Sequence, residues 1–80
     1  MKWLNSLRRS REAYELGETL LAAIERGRRL HPWEGAGFQF IALLEEAEEL
    51  RVALASGNPT RIRAEALDVA VVALRLRDGR

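Results

Sequence analysis

The sequence predicts an all-α chain, and three observations predict it. Apolar residues recur at helical spacing in three stretches, with no strand-type alternation. Glycine and proline gather at two places, Gly27 to Gly37 and Ser56 to Pro59, which divide the chain into three helical segments. β-Branched residues cluster only at Val69, Val71 and Val72, and no strand pattern surrounds them.

The first helix is expected over residues 6–28, where Leu7, Tyr14, Leu20, Leu21 and Ile24 recur at helical spacing. Gly17 lies inside it at a cost of about 1 kcal/mol against alanine. The second is expected over 37–55, with Gly57 suited to the C′ position that ends it. The third is expected over 59–77, with Asn58 as N-cap and Pro59 in the first turn. Two or three residues join the second helix to the third, so the two should form an antiparallel hairpin. The whole chain, 1–80, reads as a single helical domain.

Composition narrows the chemistry. Of 80 residues, 48% are hydrophobic and 31% charged, the balance of a folded, soluble chain rather than a disordered one. No apolar run approaches the roughly 18 residues of a membrane span. MKWLNSLRRSR has neither an apolar h-region nor a small-residue cleavage site, so a cytoplasmic chain is expected. Cysteine is absent, which removes disulfides, thiolate metal sites and thiol catalysis. His31 is the single histidine, which leaves no two-histidine zinc motif. Carboxylates and arginines remain. A chain this short buries a modest core, and oligomerisation is its available remedy.

Charge is unevenly spread. Residues 1–33 carry net +3, residues 34–57 net −4 and residues 58–80 net +2. Arg8, Arg9 and Arg11 are followed at once by Glu12, Glu15 and Glu18, and no recognition-helix pattern appears, so nucleic acid is disfavoured as a partner.

The acids form a pattern. Leu43, Ala47, Leu50 and Leu54 make one apolar stripe on the second helix, and Glu46 and Glu49 lie beside it, flanked by Ala42 and Ala53. On the third helix, Ile62, Ala66, Val69, Ala73 and Leu76 make one stripe, and Ala64, Leu67, Val71 and Leu74 a second. Arg61, Glu65, Asp68, Val72 and Arg75 fall between them. A helix with two apolar faces is packed on both sides, so acids in the strip between are not fully solvated. At 1.5 Å per residue, Glu49 and Glu65 lie about 10 and 9 Å from the turn, and Glu46 and Asp68 about 15 and 13.5 Å. Glu49 should therefore meet Glu65, and Glu46 should meet Asp68. Carboxylates so placed take up protons or hold a cation. With hard oxygen ligands alone, the cation of choice is Mg²⁺, with Mn²⁺ next.

The run LLEEAEEL (43–50) followed by EALD (65–68) resembles the ExxE…ExxD signature of the MazG-like, all-α nucleoside triphosphate pyrophosphohydrolases. In register, Glu46 and Glu49 match the first pair, and Glu65 and Asp68 the second. The resemblance covers about residues 33–77. It implies that Glu46, Glu49, Glu65 and Asp68 hold Mg²⁺. It implies that a metal-activated water attacks the α-phosphate of a nucleoside triphosphate, releasing monophosphate and pyrophosphate. Glu46 and Glu49 are the catalytic pair it implies, Glu49 being the acid that could instead orient the water as base. It implies house-cleaning of non-standard or surplus (d)NTPs, by a homodimer or homotetramer completing a four-helix-bundle core. Related phosphoribosyl-ATP pyrophosphohydrolases carry EAxD-like second motifs, which Glu65-Ala66-Leu67-Asp68 also fits. Outside this class stand a non-catalytic nucleotide- or metal-binding module and a structural helical oligomer whose acids only answer the arginines.

Other residues carry two readings each. Arg61 and Arg75 share the acidic strip, where they would clamp phosphates or neutralise the acids. Trp33 would stack on a base or pack at the start of the second helix, as would Phe38, whereas Phe40, near Leu43, is expected in the core. Gln39 lies two turns before Glu46 on the same face and could read a base or ribose. Arg51 and Arg63 are expected to face solvent.

Overall fold

A computed structural model describes residues 2–80, with side chains from Asn5 onward. Met1, which the expectation of one 1–80 domain includes, lies outside the described residues. Three helices follow one another: α1 Lys2–Leu30, α2 Ala36–Ser56 and α3 Pro59–Asp78. No strand occurs among the described residues. No described helix is long and apolar enough to cross a membrane.

Helix ends follow local chemistry. His31 precedes Pro32, and the proline ring disfavours helical backbone at the residue before it, so α1 stops at Leu30. Its start comes earlier than expected, at Lys2, because no glycine or proline interrupts the first residues. Gly35 precedes α2 with φ 103° and ψ 161°, a conformation that a side chain would strain. At the other end Gly57, at φ 69°, turns the chain left-handed, and its N–H donates to the Leu54 carbonyl at 3.1 Å. Asn58 caps α3 as expected, its Oδ1 accepting from the N–H groups of Thr60 at 3.0 Å and Arg61 at 3.3 Å. Pro59 takes the first turn, where its missing N–H costs nothing.

Helix α3 packs against both of the others. Gly27 marks its crossing with α1: a Cβ there would lie 3.4 Å from Val71 Cγ1 and 3.8 Å from Arg75 Cδ. On α1 the packed face begins only at Leu20, continuing through Ala23, Ile24 and Gly27, while every residue from Asn5 to Thr19 is exposed. On α3 the side chains of Val71 and Arg75 are buried, and half-buried residues lie around much of the rod, as a helix packed on two sides requires.

Two expectations about α2 are corrected. Its packed face is not centred on the Leu43–Ala47–Leu50–Leu54 stripe: Ala47 is exposed, and Leu54 is 57% exposed. The face is rotated toward the acids and runs through Gln39, Ala42, Leu43, Glu46, Leu50 and Ala53. Small Ala42 and fully buried Ala53 let the helices approach there. Phe40 is consequently outside the core, 52% exposed, because the rotation carries it to the far side.

Candidate functional site

The rotation of α2 brings the acids together. Glu46 and Glu49 stand one turn apart on α2, and Glu65 comes from α3. Each offers a carboxylate oxygen, and these oxygens lie within 4.8 Å of one another. Glu46 and Glu65 are half-buried and Glu49 is exposed. One oxygen of each half-buried acid, Glu46 Oε2 and Glu65 Oε2, is sealed from solvent with no hydrogen-bond partner. Such an atom has lost its water and gained nothing in return, at a cost that a proton or cation would offset.

The electrostatics agree. The Glu46 carboxyl is pushed up from an ordinary 4.5 to about 7, first by burial, then by the charge of Glu49, whose carboxylate would accept a hydrogen bond from the protonated acid, and then by the charges of Asp68 and Glu65. Burial also raises Glu65, followed by the charges of Glu49 and Asp68 and by the hydrogen bond that the Glu49 carboxylate would accept from the protonated acid, with Arg61 pulling the other way. Glu49 thus meets Glu65 as the spacing predicts. Asp68 is exposed and lies outside the close group of three, but its charge reaches both Glu46 and Glu65.

The remaining residues are placed as follows. Arg61 is exposed on α3 beside Glu65. Arg75 is only 4% exposed, and its guanidinium is engaged by backbone. Its Nη2 donates to the His31 carbonyl at 2.7 Å, its Nη1 to that of Gly27 at 3.3 Å and its Nε to that of Arg80 at 3.3 Å. A cation thus meets the negative end of α1 and ties it to α3. Nothing in the local sequence announces this role, since the carbonyls belong to residues 44 and 48 positions earlier. Gln39, 9% exposed, donates through Nε2 to the Val72 carbonyl at 3.1 Å. Trp33 is half-buried in the connection between α1 and α2, and Phe38 is exposed. Arg51 is exposed and holds Glu48 through Nε and Nη2, the shorter bond being 2.7 Å, so Glu48 is drawn away from the cluster. Arg63 is also exposed.

Two clefts meet at Glu46, the one member of the acid cluster that lines them. One, of about 500 Å³, lies where the α1–α2 connection meets α2 and includes Glu34, Phe38, Gln39 and Glu45. The other, of about 600 Å³, lies between α1 and α3 and includes Arg26, His31 and Asp68. Arg26 was not singled out by sequence reasoning, since its approach to the acids depends on how α1 crosses α3. The three acids could hold a cation through hard oxygens, and the two clefts that meet at Glu46 both carry Arg75 and His31 on their walls, one of them with Arg26 in addition. No family model, curated protein or solved structure matches the chain.

Proposed function

We propose that the chain is a Mg²⁺-dependent nucleoside triphosphate pyrophosphohydrolase of MazG-like type, with α2 and α3 as the antiparallel arms of a hairpin. The observation that carries this reading is the convergence of Glu46, Glu49 and Glu65, two of whose oxygens are buried without a partner. These acids occupy the positions of the ExxE…ExxD signature. The donor set fits Mg²⁺, with Mn²⁺ next, because every ligand is a hard oxygen and nitrogen and sulfur are absent from the cluster.

Glu46, Glu49 and Glu65 would hold the cation, with Asp68 beside them. When bound, it would supply Lewis-acid polarisation of a phosphate and a more acidic water. The chain's own contribution is positional. Glu49, the exposed member of the three, would take a proton from a water attacking the α-phosphate. Arg61, exposed beside Glu65, is free to meet a phosphate oxygen, whereas Arg75 serves the backbone. Attack at the α-phosphate gives nucleoside monophosphate and pyrophosphate. Trp33, half-buried next to α2, is a candidate to stack on the substrate. Homodimerisation or a dimer of dimers would complete a four-helix bundle around the exposed apolar faces.

The test is a (d)NTP panel incubated with Mg²⁺. Pyrophosphate and monophosphate are expected, and Glu49→Gln or Asp68→Asn should abolish turnover while leaving the circular dichroism spectrum unchanged. Release of orthophosphate and diphosphate would exclude attack at the α-phosphate.

A further inference from the structure

The cleft at the α1–α2 connection holds the one glutamine of the chain, Gln39, whose amide is oriented by its surroundings. Only the NH₂ of an amide can meet a carbonyl, so the bond to Val72 fixes Nε2 and leaves Oε1 as an unspent acceptor. Glu34 and Glu45 add carboxylates to the lining, and carboxylates are acceptors alone when ionised. Donors are fewer: Arg75 is buried and spends three of its five N–H groups on carbonyls, and the His31 ring is the other basic group there. Exposed Phe38 stands at the same cleft and offers an aromatic face. A volume of about 500 Å³ is within the range of small-molecule sites. Glu34 and Glu45 repel a polyphosphate, and the neighbouring cleft, which lacks them and adds Arg26, suits that end better.

We propose that the Gln39 cleft binds the nucleobase of the substrate and that its acceptor-rich wall selects bases bearing an exocyclic amino group, cytosine, adenine and guanine above thymine and uracil. Thymine and uracil present carbonyl oxygens on both sides of one N–H, and those oxygens would face acceptors. An unpaired, desolvated acceptor is what makes a polar pocket discriminate strongly. The proposal rests on the nucleotide reading above, because Glu46 joins this cleft to the acid cluster.

The experiment uses product nucleotides, so that it needs no turnover. The side-chain amide of Gln39 gives the only glutamine NH₂ pair in a ¹H–¹⁵N spectrum of the chain. Titration of the full chain with dCMP, dAMP and dTMP in Mg²⁺ should move that pair for dCMP and dAMP, with dTMP bound at least about tenfold more weakly. Gln39→Met should bring the three affinities to within about threefold of one another. Glu45→Gln, at an exposed position that the fold does not need, should reduce the preference in the same direction. Equal affinity for the three nucleotides, or an unmoved Gln39 pair while other signals shift, overturns the proposal. A triphosphate panel run in parallel separates the two readings. Pyrophosphate release with an unmoved Gln39 pair removes the base pocket alone, and a responsive Gln39 pair without pyrophosphate removes the reaction alone.

Discussion

Glu46 links the packing of α2 to the chemistry proposed for the acids. Its carboxyl rises from 4.5 to about 7 in the folded chain, so the folded state holds the proton more tightly than the unfolded state. Its contribution to stability without metal is therefore fully present below pH 4.5 and is lost as pH rises from 4.5 through about 7. Glu65 is raised too and acts in the same direction. The urea midpoint in EDTA should be lower at pH 8 than at pH 5, and Glu46→Gln should flatten the difference. Mg²⁺ should restore what the charges cost: at about 100 times its Kd it would add about 2.7 kcal/mol at pH 8, and much less at pH 5, where protons hold the site. A pH 8 midpoint indifferent to Mg²⁺ would remove the metal site. Arg75 makes a second residue-level prediction. Arg75→Met strips donors from the carbonyls of Gly27 and His31 and should cost about 1–3 kcal/mol, read from the same denaturation curves. The meeting of Glu49 with Glu65 was legible in the sequence because helical periodicity fixes their heights, whereas Glu46 joins those two and the Asp68 expected opposite it lies outside the close group. The Arg75 tether was not, because it depends on a crossing between distant segments.

The helices were legible as elements because their stop signals are local. Gly57, Asn58 and Pro59 each act through their own backbone, and the structure uses all three in the expected way. Asn58→Ala should cost about 1 kcal/mol, since the N–H groups of Thr60 and Arg61 lose their acceptor. The rotation of α2 was less legible. A wheel ranks leucines above glutamate and glutamine, whereas close approach at Ala42 and Ala53 decided which face turned to α3. The two interior glycines of α1 look alike in sequence but have opposite surroundings. Nothing lies within 4 Å of a Cβ built at Gly17, while one at Gly27 meets Val71 and Arg75. Gly17→Ala should stabilise the chain by up to about 1 kcal/mol through helix propensity. Gly27→Leu should destabilise it by about 1–3 kcal/mol, because the larger side chain must push α1 off α3. Thermal melts of the two variants should move in opposite directions.

At the scale of the whole molecule the surface is too large for a lone compact chain. The accessible area is 6323 Å² for 9.1 kDa. A compact monomer of that mass exposes about 4,900 Å². The radius of gyration is 15.0 Å, against about 12 Å for a compact domain of this length. A standard interface removes about 800 Å² from each partner, so the excess is of the size that association would cover. Uncovered apolar side chains stand at Leu7, Tyr14 and Leu16 on the first half of α1 and at Phe40, Leu44 and Leu54 on the outer face of α2, and the proposed second copy would cover them. Light scattering at micromolar concentration should give at least twice the 9.1 kDa chain mass. Leu44→Lys with Leu54→Lys should shift the population toward monomer by placing charge in that surface. A chain mass of 9.1 kDa for the unaltered protein would contradict the bundle. Glu46, Glu49 and Glu65 all come from one chain, so assembly and metal binding are separable. If a monomeric variant stays folded, Mg²⁺ should still raise its urea midpoint at pH 8, because the cation needs only the contact between α2 and α3.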